Sequence, residues 1–558
     1  VHGNNTQDYT GALGGTGGLG GGGSGAPLTT STVSYTTIGN SGTANTGGGG
    51  GGAGGAAGNI SSYGGAGGSG LIVVRYVGAT ASSGGTLSVG TGSNTGYTLQ
   101  TFSTTGANTL TFNSMAATFS GVISGAGSFT ASPSANGKFT FTNNNTYGGS
   151  TTLSSGTLQV GTGTTAGSLG ALSAAVINNG SLIFNRSDAL TYTGAFSGIG
   201  ALTVATGGLT LNGGATYSGA TVLSATAAAP TSIAYNYNTP PSTTGFSGIG
   251  TVTIAPAANA SFTSAFTPNY TFASTLTGLT LGSSSNIQDI TLNNALTING
   301  PITVDAGQIT LGSSMQSTAA NADITIRAKT HITNTALTTL TTAGGNILLA
   351  SNVDDLTDND TTTNGYVRLQ YGLVATSSGG NITLGGGNLT GTAYAMGSSN
   401  GSLTEGLRID GRVNINSGGG NISLRGKSYA MAVGSGTGGS GVGFYNLTQS
   451  DVIDSGAGTV YLDGYSQTSG SSYSAGFRLY SSYPFTIRSA NTTANAIQII
   501  GTATGNGGNA WGIETNSSLF SVLATGAGSA TSTGGGITLK TSQQNTSNNY
   551  DAVFRGPT

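Results

Sequence analysis

The chain lacks cysteine and carries very little charge. None of its 558 residues is Cys, so no disulfide, thiolate nucleophile or cysteine-based metal site can form. Lys and Arg together number 14 and Asp and Glu 16, for a net charge of −2, whereas about a quarter of an ordinary soluble domain is charged. Without clustered Lys and Arg, we expect no nucleic-acid partner and no electrostatic docking on a membrane surface.

Long hydrophobic runs are also missing. No stretch of about 18 apolar residues occurs, which argues against a transmembrane helix. Disorder is disfavoured because it goes with low hydrophobicity and high net charge, and this chain is 36% hydrophobic and nearly neutral. The sequence starts at Val1 without a basic and apolar leader, so we expect any signal peptide to be removed or to lie outside it. These exclusions favour periodic β-structure.

What the chain has in abundance is glycine, with 102 residues. Residues 1–80 form a glycine-rich segment that includes an unbroken glycine run over 47–52. Glycine loses more backbone entropy on folding than any other residue, so such a run becomes ordered only by close packing. The segment ends in the strand signal Leu71-Ile72-Val73-Val74-Arg75-Tyr76. It resembles glycine-rich segments of bacterial surface and phage fibre proteins; a flexible linker followed by one strand is the alternative.

A first repeat lies in residues 81–322, where short apolar alternations punctuated by glycine predict many short strands. Residues 145–161 contain Thr-Tyr-x-Gly-x-Thr-x-Leu-x-x-Gly-Thr-Leu, and residues 215–224 repeat its first half. Phe-Ser-Gly-Ile-Gly occurs at 196–200 and again at 246–250. The longer pattern resembles the passenger-associated repeat of bacterial autotransporters. That resemblance implies a right-handed parallel β-helix displayed on the cell surface.

A second repeat occupies residues 323–558, which hold 23 of the 30 charged residues. Gly-Gly-Asn-Ile or a variant recurs, with its first apolar residue at positions 347, 382, 422, 460, 497 and 537. These positions are 35 to 40 residues apart, and two further short strands are predicted between them. Three strands per repeat are typical of a parallel β-helix with variable loops. The region resembles filamentous-haemagglutinin-type exoproteins.

These patterns together predict the fold class. We expect an all-β protein, a right-handed parallel β-helix (β-solenoid) preceded by the glycine-rich segment, with regions 1–80, 81–322 and 323–558. A string of β-sandwich domains is the rival, and it would need units of about 100 residues. In a β-helix, Asn346, Asn381 and Asn421 align at one corner and can form a hydrogen-bonded ladder. Ordinary Gly-Asn turn chemistry is the alternative explanation of these asparagines.

Residues suited to catalysis are scarce. The histidines are His2 and His331, and we expect His331 to be a surface side chain rather than a base. The only glutamates are Glu405 and Glu514. Asp410, Asp454 and Asp463 do not share a repeat position and give no sign of the close pairing that acid–base chemistry needs. We therefore expect no enzyme activity, no catalytic residues and no cofactor-binding residues.

One acidic cluster is a candidate metal site. Asp355, Asp358 and Asp360 lie in a short segment with Asn359, and oxygen-rich loops of this kind suit Ca²⁺. The EF-hand pattern fails because no Gly or terminal Glu stands at the required positions. We expect no cofactor other than, at most, this calcium ion, and a solvated loop is the alternative.

The expected function follows from these features. We expect an extracellular or bacterial cell-surface protein with a structural or adhesive role, such as a fibre, sheath or adhesin subunit. A glycan-active β-helix enzyme and a phage tail-fibre-like glycan-binding protein are the alternatives. The expected partners are other copies of the chain, in a homo-polymer, and glycans or other surface components. An uncapped β-helix end favours self-assembly, with Leu71, Ile72, Val73, Val74 and Tyr76 as the candidate donated strand.

Overall fold

A computed structural model describes most of the chain, which divides into two compact units, residues 1–207 and 208–558. The division falls within the strand Ala201–Leu211. The sequence-based boundaries at 80 and 322 stay predictions. The residues that the structure describes are 15–26, 37–53, 62–70, 72–77, 82–83, 86–89, 91–95, 97–102, 111–112, 116–133, 135–225, 231–354, 365–398, 404–429, 439–467, 474–504, 510–517, 519–526, 536–543 and 552–555.

The glycine-rich part of the first unit packs on itself through its backbone. The Gly23 amide donates to the Gly49 carbonyl at 2.8 Å, and the Gly65 amide donates to the Gly51 carbonyl at the same distance. A Cβ at Gly50 would overlap the backbone of Gly65. Only glycine allows such close parallel runs. Among the described strands of this part, Thr37–Ile38 pairs in parallel with Ser62–Tyr63. Tyr97–Phe102 pairs antiparallel with both Ile72–Val77 and Thr86–Val89, and Ser82–Ser83 pairs antiparallel with Thr111–Phe112. A 3₁₀ turn lies at Gly92–Asn94.

From residue 117 the first unit is a parallel coil with two stacked sheets, N1 and N2. Sheet N1 contains Ala117–Phe119, Lys138–Phe141, Thr157–Thr164 and Ser181–Tyr192. Sheet N2 contains Phe129–Ala131, Thr151–Leu153, Val176–Asn178 and Phe196–Ser197. Buried phenylalanines join the two sheets edge to face; Phe129 of N2 lies 5.1 Å from Phe141 and 6.3 Å from Phe119 of N1, measured between ring centroids.

The tyrosine and threonine of the first sequence repeat form a buried hydrogen bond. The hydroxyls of Tyr147 and Thr151 lie 2.5 Å apart. In the second unit, the hydroxyls of Tyr217 and Thr221 repeat this contact at 2.6 Å. Burial raises the pKa of both tyrosines to about 12, so each hydroxyl remains protonated and can donate. The Thr-Tyr-x-Gly-x-Thr pattern is therefore the sequence of one corner of the coil.

The second unit is a parallel β-helix with three stacked sheets, which we call C1, C2 and C3. Sheet C1 contains Thr231–Asn236, Thr251–Ala255, Gly278–Gly282, Ile302–Ala306, Ile324–Ala328, Ile347–Ser351, Ile382–Gly386, Ile422–Lys427, Val460–Ser466, Ile497–Ala503 and Ile537–Gln543, and Ala395–Met396 pairs with its Ile422–Lys427 strand.

Sheets C2 and C3 complete each rung. Sheet C2 contains Ile290–Leu292, Ile309–Leu311, Ile332–Asn334, Val367–Leu369, Leu407–Asp410, Ser440–Tyr445, Ser474–Ser481, Ala510–Ser517 and Ala552–Arg555. Sheet C3 contains Leu296–Ile298, Met315–Ala320, Thr338–Ala343, Leu373–Thr376, Val413–Asn416, Asp451–Asp454, Phe485–Ser489 and Phe520–Ala524. Before the first complete rung, three further strands stack on one another in parallel: Thr221–Ser224, Gly245–Ile249 and Thr271–Phe272.

The second sequence repeat coincides with sheet C1. Ile347 pairs with Ile382, Ile382 with Ile422, and Ile422 with Val460. Side chains alternate inward and outward along each strand, so equivalent Ile and Leu residues form the buried columns of the core. The parallel β-helix prediction is confirmed, and the β-sandwich alternative is wrong.

The coil begins well before the region in which the sequence repeat is visible. Complete rungs already start at Gly278, Ile302 and Ile324, and their strands are continuous in C1 with Ile347. These early rungs are shorter because their connections from C1 to C2 are short. The Gly-Gly-Asn sequence that precedes the C1 strand in later rungs is also missing from these early rungs. Without that marker, the alternation of apolar residues does not show where each early rung begins.

Candidate functional surface

The longest connections of three later rungs leave the coil at the same corner. In the rungs that begin at Ile347, Ile382 and Ile422, the chain takes its longest excursion between the C1 strand and the following C2 strand, as between Gly386 and Leu407. In the rung that begins at Ile497, the longest connection instead joins C3 to C1, between Ala524 and Ile537. The turn from C2 to C3 stays tight, as between Asp410 and Val413. The long connections of these three rungs therefore start from one edge of the helix, and loops commonly carry binding functions.

At this corner the C1 and C2 strands lengthen and pack backbone to backbone along a glycine seam. A Cβ at Gly426 would overlap the Gly441 carbonyl oxygen, and one at Gly464 would overlap that of Gly476. Gly501 meets Gly512 in the same way. No side chain fits between these layers, so the seam is a thin, rigid support for the loops.

A polar and aromatic cluster lies on the outer face of C1. The Asp463 carboxylate accepts hydrogen bonds from the Tyr394 hydroxyl at 2.8 Å and the Tyr461 hydroxyl at 3.0 Å. Arg425 reaches the same oxygen at 3.2 Å and places its guanidinium 4.7 Å from the Tyr394 ring centre. Burial, followed by the Asp463 charge, raises the pKa of Tyr394 above its ordinary range. Through Tyr394, the cluster holds the segment before Ala395 against the strands Ile422–Lys427 and Val460–Ser466.

A ladder of arginines and acids lies on the outer face of C2. Arg368, Arg408 and Arg478 occupy equivalent positions, with Gly443 between the last two. The Tyr445 ring lies over Gly443, 4.3 Å from the Arg408 guanidinium.

Each acid near this ladder is paired with an arginine. Arg408 makes a two-point ion pair with Asp410 at 2.8 and 2.9 Å and a further one with Glu405 at 3.0 Å. Arg478 pairs with Glu514 at 2.6 Å. Since the acids are already engaged by arginines, the ladder fixes the face rather than supplying a free acid or base.

The three asparagines at the corner between C3 and C1 form a ladder through side chain and backbone. The Asn346 side-chain oxygen accepts the Asn381 amide at 2.9 Å, and that of Asn381 accepts the Asn421 amide at 2.8 Å. Asp323 precedes the ladder and Thr459 extends it. Each bond joins adjacent rungs, so these residues help to hold successive rungs in register.

The acids considered for catalysis lie apart. Asp463, Asp410 and Asp454 belong to C1, C2 and C3 respectively. His331 is half-buried and stacks on Tyr366 at 4.5 Å, and burial lowers its pKa. Within the described ranges, no three His, Asp or Glu residues are grouped so that they could hold a metal ion.

Two predicted sites fall partly or wholly outside the described residues. Asp355, Asp358 and Asp360 lie outside them, so the calcium site stays a prediction. Leu71 also lies outside. Its neighbours form the strand Ile72–Val77, which pairs antiparallel with Tyr97–Phe102 of the same chain. Donation of this strand to another copy stays a prediction.

Comparison with known proteins gives one curated match. The chain is 49% identical over 55 residues to the adhesin BmaC autotransporter of Brucella suis biovar 1 (strain 1330). The match covers 10% of this chain and only 2% of that adhesin's length. No protein-family model matches, and no solved structure matches. A short part of the chain is thus similar to an autotransporter adhesin, and the resemblance suggests a cell-surface or extracellular protein.

In the part of the chain that the structure describes, no helix is long and apolar enough to cross a bilayer.

Proposed function

We propose that this chain is an adhesive module of a bacterial surface protein, in which the β-helix is a rigid stalk that presents side chains and loops to a target. The similarity to an autotransporter adhesin supports this role. The parallel coil, with the long connections of three successive rungs at one corner, provides a suitable support. We further propose that the role is non-catalytic, which the dispersion of Asp410, Asp454 and Asp463 over three sheets supports.

Adhesion of coated beads tests the proposal. Beads carrying the purified full chain should adhere to cultured epithelial cells more strongly than beads carrying the heat-unfolded chain or an unrelated protein at equal density. Antibodies against the chain should label intact cells of the organism that produces it. Binding no stronger than that of the unrelated protein would reject the adhesive role, and labelling restricted to permeabilised cells would reject the surface location.

Self-assembly remains a separate proposal, motivated by the pairing strand Ile72–Val77. Electron microscopy of the purified chain should show filaments, and deletion of residues 1–80 should abolish them while the β-sheet circular-dichroism signal remains. A full chain that is strictly monomeric would show that the assembly proposal is wrong.

A further inference from the structure

The exposed tyrosines of the later rungs lie along one edge of the β-helix. Between residues 278 and 555, the aromatic side chains that the structure describes as exposed are Tyr371, Tyr480 and Tyr483, with exposed fractions of 51%, 52% and 45%. Tyr371 and Tyr483 lie in the tight turn from C2 to C3, and Tyr480 lies near the end of the C2 strand that leads into this turn. Exposed aromatic side chains concentrated at one place are a sign of a binding surface.

The turns between these tyrosines are stacked and hydrogen-bonded. Gly411 packs against the Tyr371 backbone in the preceding rung. Its amide donates to the Tyr445 carbonyl at 3.1 Å, and the Asn446 amide donates to the Tyr480 carbonyl, also at 3.1 Å. Tyr371 and Tyr480 are three rungs apart, which corresponds to about 14 Å along the axis at the usual strand spacing.

We define the tyrosine ridge as Tyr371, Gly411, Asn446, Tyr480 and Tyr483. Gly411 has φ +76° and no side chain, so it leaves a low step between the tyrosines. Asn446 is exposed in the middle of the ridge, with φ +50°. The ridge therefore has tyrosine rings at its two ends and a glycine and an asparagine amide between them.

The ridge is held in place before any ligand binds. The Tyr371 amide donates to the Asn334 side-chain oxygen at 3.2 Å, and the Tyr483 amide donates to the Ser481 hydroxyl at 2.9 Å. The Asn446 side chain donates to Asp410 at 3.3 Å. A preorganised tyrosine surface loses little conformational entropy on binding.

We propose that the tyrosine ridge binds a neutral, linear glycan that lies along the helix axis. Sugar rings present apolar C–H faces to aromatic rings and hydroxyls to amide and phenol groups, and the ridge offers rings at its ends and polar groups between them. The nearby Asp410 charge is already neutralised by Arg408, and the charge of Arg412, beside Gly411, acts on the buried Asp451 carboxyl group. This inference rests on the proposed adhesive function and names its target.

A protein partner fits the ridge less well. Protein interfaces have a contiguous apolar centre. The exposed aliphatic side chains at this corner, Leu337 and Leu519, belong to rungs beyond its two ends. The centre of the ridge is occupied by Gly411 and Asn446 instead, which supply backbone and amide groups to a polar ligand.

Affinity electrophoresis tests the proposal with the full chain. Native gels containing xylan, galactomannan or hydroxyethyl cellulose should retard the wild type, and the corresponding hexasaccharide should bind in calorimetry. The triple variant Tyr371→Ala/Tyr480→Ala/Tyr483→Ala should lose at least tenfold in affinity. The matched control Tyr237→Ala removes a tyrosine that is 42% exposed but lies outside the ridge, and it should bind as the wild type does.

The outcomes separate this proposal from the adhesive function. If none of the three polysaccharides retards the wild type, or the triple variant binds unchanged, the glycan proposal is wrong even if coated beads adhere. If the triple variant loses adhesion to protein-coated surfaces while glycan binding is absent, the ridge is a protein interface and the proposal is likewise wrong. Circular dichroism checks folding of the triple variant; should it fail, the single variants Tyr371→Ala and Tyr480→Ala carry the test.

Discussion

Asp451 is a buried acid at a position where the β-helix places apolar residues. It opens a C3 strand, faces inward with Ile453, and is paired with Phe485 of the next rung. Only 4% of the residue is exposed, and neither carboxylate oxygen has a hydrogen-bond partner among the described residues. Burial raises the pKa of Asp451 from 3.8 to about 6, opposed by the nearby Val413 backbone amide and by the charge of Arg412.

The sign of the pH effect follows from the raised pKa. The folded state binds the proton more tightly than the unfolded state, so this group's contribution to stability is complete below pH 4. It is lost as the pH rises through about 6. A shift of about two pKa units corresponds to at most about 3 kcal/mol between the two protonation states.

We therefore expect Asp451→Asn to raise the free energy of unfolding at pH 7 by about 2 kcal/mol and to change it little at pH 4. Asn keeps the shape of the side chain but removes the charge. The matched control is Asp454→Asn on the same strand, whose carboxylate faces outward and pairs with Arg488 at 2.7 Å. That change should lower stability at pH 7 by less than about 1 kcal/mol, as for other exposed pairs.

Urea unfolding from pH 4 to pH 8 measures both variants. The single tryptophan, Trp511, is buried in C2 and reports on the nearby rungs by fluorescence. The reasoning is refuted if Asp451→Asn fails to stabilise the protein at pH 7, or stabilises it equally at pH 4 and pH 7. The second result would indicate a packing effect rather than a titration.

The remaining predictions concern the repeat corners, the glycine seam and the acidic loop. Tyr147→Phe removes the hydroxyl bonded to buried Thr151 and should cost about 1–2 kcal/mol in urea unfolding; an unchanged midpoint would contradict it. Gly464→Ala places a Cβ on a facing carbonyl and should lower the melting temperature by several degrees. Asn381→Ala removes the side-chain oxygen that accepts the Asn421 amide and should accelerate exchange of that amide, measured by mass spectrometry. Calcium at millimolar concentration should raise the melting temperature through the 355–360 loop, and no shift would reject the site.

Much of the fold could be predicted from local patterns. The Ile-x-Leu strands after Gly-Gly-Asn lie in C1 at the predicted residues, because each rung repeats the same inward-facing positions and the same corner. The rungs from Gly278 to Ile324 could not be recognised as the same coil. Their period differs and their corners use other residues.

The surface could be predicted much less well. Asp463 and Tyr394 are 69 residues apart in sequence but joined by a 2.8 Å hydrogen bond, because loops of unequal length separate rungs that are neighbours in space. Glu405 pairs with Arg408 of the same rung, whereas Glu514 pairs with Arg478 of the preceding rung. No spacing rule links such pairs, since the loop lengths that set the spacing are free to vary.

The sequence by itself determined the class of structure: a chain without cysteine and nearly without charge, rich in glycine and in short apolar alternations, can bury enough surface only by stacking similar rungs. It also determined which residues face inward, because strand alternation is a local property. Only the tertiary structure decided what lies side by side on the outside. The glycine seam, the arginine ladder and the tyrosine ridge each combine residues from several rungs, and their alignment depends on the register in which successive rungs stack.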